Sequence, residues 1–113
     1  MADERRKVFV FGREGISGED ETLGFEILVT MFKSLANRKD LPVALVFWNT
    51  AVRLLTDSSP LLRHLKPLEE KGVAVLAGKL CLQELDISQL AVGRAATMDE
   101  ILDLFHNHSV VSL

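Results

Sequence analysis

Cys81 is the one cysteine of the chain, and it is the side chain best suited to covalent chemistry. It follows a short apolar run, Val73-Ala74-Val75-Leu76-Ala77, by about four residues. It opens Leu82-Gln83-Glu84-Leu85, a stretch that can form a helical turn. A thiol near a helix N-terminus and a cation is held more readily as the thiolate, which is the nucleophile. Lys79 is the nearest cation in sequence. The competing reading is that Cys81 is a small buried hydrophobe, since free cysteine is among the most buried residue types.

Other polar residues are grouped where chemistry could occur. Gly12-Arg13-Glu14-Gly15-Ile16-Ser17-Gly18 is a glycine-rich loop leading into a helix, able to offer backbone N–H groups to an anion. It lacks the Lys-Ser/Thr pair of a phosphate-binding P-loop and is not a G-x-G-x-x-G fingerprint. Turn geometry alone also explains its glycines. Gly24, inside the following helix, reads as a close-packing position. Trp48-Asn49-Thr50 follows a second apolar run, and Trp48 reads as packing or a subunit contact. His106 and His108 flank Asn107 without a third ligand in view, and His64 has no partner set, so no metal site is expected. Asp57 and Asp86 lie in loops. Gly78 and Lys79 stand after the third apolar run, where a phospho-acceptor domain would need an aspartate.

These residues need a frame, and the apolar pattern supplies one. Val8–Phe11, Val43–Phe47 and Val73–Ala77 are continuous apolar runs, as expected for strands buried on both faces. Weaker strands are expected over Ala91–Ala95 and Ser109–Leu113. Between Asp20 and Asn37, Leu23, Ile27, Leu28, Met31, Phe32 and Leu35 form a helical stripe, with Asp20 and Glu21 in the first turn. A second helix is expected between Ser59 and Lys71, with Ser59 as N-cap, Pro60 at the first position and Gly72 as the stop. Pro67 predicts a kink or two short helices there. Thr97-Met98-Asp99-Glu100 is a capping box before Ile101, Leu102 and Phe105, and Ala51–Leu55 allows a short helix. Alternating strands and helices predict a three-layer α/β/α sandwich around a five-stranded, mostly parallel sheet. In such sheets ligands bind outside the carboxyl ends of the strands. That edge carries the Gly12–Gly18 loop, Trp48-Asn49-Thr50, Gly78-Lys79-Leu80-Cys81, and Ala96 and Thr97.

The chain of 113 residues has room for one domain, expected to span 1–113. With 48% hydrophobic and 26% charged residues it is a globular sequence. A net charge of −3 and the absence of a basic stripe argue against nucleic acid as a partner; Arg5, Arg6 and Lys7 sit beside Asp3 and Glu4. No apolar stretch approaches the ~20 residues that span a bilayer, and no signal segment is expected at the start. A single cysteine and no leader predict a reducing, cytoplasmic setting.

Several strings resemble the DsrE/DsrF-like domains, and most of all the C-terminal domain of YedF-type selenium-metabolism proteins. Ser17-Gly18-Glu19-Asp20-Glu21-Thr22-Leu23-Gly24 resembles that family's acidic lead into the first helix. Leu45-Val46-Phe47-Trp48-Asn49-Thr50-Ala51-Val52-Arg53-Leu54 resembles its second strand and following turn. Leu68-Glu69-Glu70-Lys71-Gly72-Val73, Cys81-Leu82, Val92-Gly93 and Met98-Asp99-Glu100-Ile101 continue the likeness over nearly the whole chain. The resemblance implies a five-stranded parallel sheet of order 4-3-2-1-5, a role in sulfur or selenium handling, and homo-oligomers.

By that resemblance Cys81 is the candidate persulfide acceptor. Lys79, Asn49, Thr50, Gly78 and Arg13 are candidate supporting residues. Some relatives carry a second cysteine three residues before the matched one, and here that position is Gly78. YedF-type chains also carry a TusA-like domain with its own cysteine, which these 113 residues do not contain. A lone cysteine cannot resolve its persulfide internally, so the implied partner is a sulfur donor or acceptor protein, TusA-like being one kind. No cofactor is expected. The rival expectation is a non-catalytic oligomeric scaffold in a sulfur-handling complex. A small-ligand binder using the Gly12–Gly18 loop is a third.

Overall fold

A computed structural model describes residues 6–113; the start of the basic cluster, Arg5, lies outside the described residues. Five strands form one sheet: β1 (Lys7–Phe11), β2 (Ala44–Phe47), β3 (Ala74–Gly78), β4 (Arg94–Ala96) and β5 (Ser109–Ser112). Their order is β4-β3-β2-β1-β5, and every pairing is parallel. The apolar runs became the three central strands because only there are both faces covered; all four residues of β2 are buried.

The helices are α1 (Glu21–Ala36), α2 (Leu62–Glu70), α3 (Lys79–Glu84) and α4 (Met98–Asn107), with a 3-10 helix at Asn49–Leu55. The steps β1 to β2 and β2 to β3 run in one direction across the sheet. Right-handed crossovers therefore put α1 and α2 on the same face. The step from β4 to β5 runs back over the sheet and puts α4 on the other. The core divides accordingly. Phe11, Leu45, Phe47 and Val75 meet Leu28 and Phe32 of α1 and Leu65 and Leu68 of α2. Val8, Val10, Ala44, Val46 and Leu76 meet Ile101 of α4. No polar or charged residue is buried among the described residues.

Several expected boundaries moved. Asp20 is the N-cap of α1, its side chain accepting the Leu23 N–H at 2.9 Å. Leu23 and Ile27, on the predicted stripe, are exposed, because the sheet reaches only the Gly24, Leu28, Phe32 and Leu35 side of the helix. Ser59 does not cap α2. Its hydroxyl accepts the Leu61 N–H in the preceding turn, and the helix starts at Leu62. One helix runs through Pro67 rather than two; the bond lost there belongs to the carbonyl of Arg63, an exposed residue. The fourth strand is Arg94–Ala96, later than Ala91–Ala95. Gly93, at φ +78°, comes so close to β3 that a Cβ would lie 2.6 Å from the Val75 carbonyl. The chain joins the ladder only after that contact. The Thr97–Glu100 capping box is present in both directions, at 3.2 and 3.3 Å.

Candidate functional site

The carboxyl ends of β1 and β2 rest on an aromatic floor. Phe11 and Phe47, paired in register, stack at 5.0 Å, and Phe32 of α1 meets Phe11 edge-on at 5.4 Å. Above this floor the chain leaves β2. The Trp48 N–H still donates to the Phe11 carbonyl at 3.1 Å, and the indole packs edge-on against Phe105 of α4 at 5.8 Å. Trp48 is thus a packing residue. Asn49 then turns into the left-handed region, φ +54°, and starts the 3-10 helix. Asparagine is among the few non-glycine residues that visit this conformation readily.

The turn at Asn49 aims its backbone N–H at Cys81, donating to Sγ at 3.0 Å. Cys81 is half-buried, in the first turn of α3, which begins directly after β3 with no intervening loop. Gly78 makes room for the sulfur: a Cβ there would sit 3.4 Å from both Sγ and the Trp48 Cβ. A recess of about 390 Å³ opens over the thiol, lined by Trp48, Asn49, Leu80, Cys81, Glu84 and Leu85. Leu80 on its rim is 64% exposed. A sulfur that accepts an N–H hydrogen bond gains most when it carries negative charge. The arrangement places a sulfur that accepts an N–H within reach of solvent.

Asn49, Gly78 and Cys81 therefore come together, though it is the Asn49 backbone and not its side chain that touches the sulfur. Lys79 does not line the recess. Two residues apart in a helix, Lys79 and Cys81 leave the axis about 200° from each other. Arg13 and Thr50 instead line a neighbouring polar cavity of about 430 Å³, together with Gly12, Gly15, Glu21 and Asn49. Gly15 and Gly24 serve close packing. The Ile16 N–H donates to the Gly24 carbonyl at 3.1 Å, and a Cβ on Gly24 would lie 2.6 Å from the Ile16 carbonyl. Sequence reasoning placed Trp48 and Leu80 at this edge without a role beside the thiol, and missed Glu84 and Leu85 as walls of the recess. The available signal was an asparagine placed between a buried strand and a helical turn. His106 lies in the last turn of α4, and no group of three metal-ligating residues occurs among the described residues.

Solved structures share this architecture closely. The ychN protein from E. coli superimposes with a TM-score of 0.67 at 15% identity, over 96% of this chain and 99% of that one. The fold is DsrE/DsrF-like. Protein MTH1491 of unknown function, from Methanobacterium thermoautotrophicum, gives a TM-score of 0.71 at 16% identity, over 96% of this chain and 99% of that one. Conserved protein BT1422 of unknown function, from Bacteroides thetaiotaomicron, gives 0.68 at 14%, over 99% and 97%. At such identities the likeness is one of fold. No family model matches the sequence, and no curated protein matches it. No helix among the described residues is long and apolar enough to cross a membrane.

Proposed function

We propose that this chain is a persulfide-type sulfur carrier, with Cys81 as the acceptor. The observation that carries this reading is the Asn49 N–H 3.0 Å from Sγ, in an open recess at the carboxyl edge of the sheet. The DsrE/DsrF-like fold is compatible with it. The Cys81 thiolate attacks the outer sulfur of a donor persulfide, R–S–SH. A bond forms between Sγ and that sulfur, the donor's S–S bond breaks, and R–S⁻ leaves with the electron pair. The products are Cys81–S–SH and a thiolate, with no net oxidation. A partner's thiolate then attacks the same outer sulfur and restores the Cys81 thiolate. These 113 residues hold no second cysteine to release the sulfur as an internal disulfide, so the proposed acceptor is a thiol outside them.

Two finer parts of the proposal rest on the sequence resemblance to YedF-type chains, selenium as an alternative cargo and a TusA-like partner; a cytoplasmic setting is proposed from the cysteine usage. A homo-oligomer accords with the large side chains left in water, Leu23, Ile27, Met98, Leu102 and Val110. One observation favours the scaffold reading instead: Cys81 packs against the larger core cluster as an apolar residue would. Intact mass after exposure to a persulfide donor separates the two. The carrier gains one sulfur, and Cys81→Ser gains none. A native chain that takes up no sulfur, with its thiol slow to alkylate, would leave the scaffold.

A further inference from the structure

The carrier reading makes no use of the 430 Å³ cavity between the Gly12–Gly18 loop and the 3-10 helix. Its volume is in the range of small-ligand sites. Its lining carries both signs of charge, Arg13 against Glu14 and Glu21, with the amide of Asn49 and the hydroxyl of Thr50 beside them. Glu14 reaches Arg53 at 4.0 Å. Arg13 and Glu21 do not close on each other, and neither forms an ion pair or side-chain hydrogen bond among the described residues. The side chains of Asn49 and Thr50 are likewise unengaged there. Both side chains are exposed, and a cation and an anion that line one cavity without pairing keep both charges open to a ligand that displaces water. The ligand that answers both is a zwitterion. Its carboxylate suits the planar guanidinium fork, and its ammonium suits a glutamate.

The second observation is position. Asn49 lines this cavity and also the recess over Cys81. The two spaces therefore border on one residue. A ligand whose charged head sits in the polar cavity can lay a short side chain across Asn49 toward the sulfur. We infer that the cavity binds the α-amino-acid head of a low-molecular-weight thiol or persulfide, with Arg13 on its carboxylate and Glu21 on its ammonium. The inference names the persulfide as donor, and the thiol as the leaving product or acceptor, for the carrier reading, and rests on that reading for its purpose. The binding itself does not need Cys81 to react.

The test uses the full chain carrying Cys81→Ser and the probe S-methyl-L-cysteine, which has the head group and a sulfur that cannot be transferred. Backbone amide NMR follows the titration, and the same spectra report that each variant is folded. Saturable shifts are expected at residues 12–18 and at Asn49 and Thr50. Arg13→Ala weakens binding roughly threefold to tenfold, the span for an exposed charged hydrogen bond. The deaminated analogue, methylthiopropionate, binds more weakly to the native lining and loses nothing further on Glu21→Gln. Absence of saturable shifts at these amides overturns the inference, as does equal binding of the deaminated analogue. If the amides stay silent while native chain still takes sulfur from inorganic polysulfide, the head-group site fails and the carrier reading stands. Binding by a chain that takes up no sulfur has the opposite meaning.

Discussion

Replacing Asn49 by valine separates the backbone geometry at the sulfur from everything around it. Asn49 holds φ at +54°, and a β-branched residue there costs about 1–2 kcal/mol. The chain relieves that strain by rotating toward negative φ, which swings the N–H off Sγ. A hydrogen bond to a charged acceptor contributes about 1.5–3 kcal/mol. The recess is open to solvent, so the lower end applies, and about 1.4 kcal/mol corresponds to a factor of ten. Asn49→Val is therefore expected to lower the rate of sulfur uptake by Cys81 about tenfold. Urea unfolding should show a stability loss of about 1–2 kcal/mol from the same strain. Asn49→Gly keeps the left-handed turn and the N–H while deleting the side chain, and should load sulfur within about twofold of the native rate. The assay is intact mass against time at fixed excess of persulfide donor. A folded Asn49→Val that loads at the native rate refutes the reasoning. A glycine variant as slow as the valine one would move the role from the backbone to the amide side chain.

Three further outcomes follow from local geometry. Asp86 follows the C-cap Leu85 of α3 in the left-handed region, φ +56°, with the Ile87 N–H on the Leu82 carbonyl at 2.9 Å. Glycine suits that position better, so Asp86→Gly should raise Tm by roughly 2–3 °C, the effect of about 0.5 kcal/mol. Thr97→Ala removes the capping box of α4, the helix that covers the Val8, Val46 and Leu76 face, and should cost about 1 kcal/mol in urea unfolding. The His64 imidazole is held below its ordinary range by burial first, then by Lys33 and Arg63. The unfolded chain therefore binds that proton more tightly than the folded one. Stability should rise with pH as the solution passes from the folded-state value up to about 6.5 and be flat above it. His64→Gln should flatten the curve in that window, and an unchanged slope would count against the assignment.

The central strands were legible because burial on both faces demands a continuous apolar run, and Val8–Phe11, Val43–Phe47 and Val73–Ala77 satisfy that demand locally. The α4 capping box was legible for the same reason: donor and acceptor lie three residues apart. Cys81 as the reactive candidate needed only its residue type and its place after a buried strand. What surrounds it did not follow from spacing. Asn49 and Cys81 are 32 residues apart. They meet because the β2–β3 register pairs Phe47 with Ala77 and so brings the residues leaving both strands together. Lys79 shows the converse. It is close in sequence, yet helical geometry turns it away from the sulfur. Leu23 and Ile27 carry the right periodicity, but how wide a face the sheet covers is decided only when α1 docks. Separation of the site into an apolar recess at Cys81 and a polar cavity at Arg13 is likewise tertiary. It depends on a single backbone turn at Asn49, where neighbouring strands deliver loops that no local pattern connects.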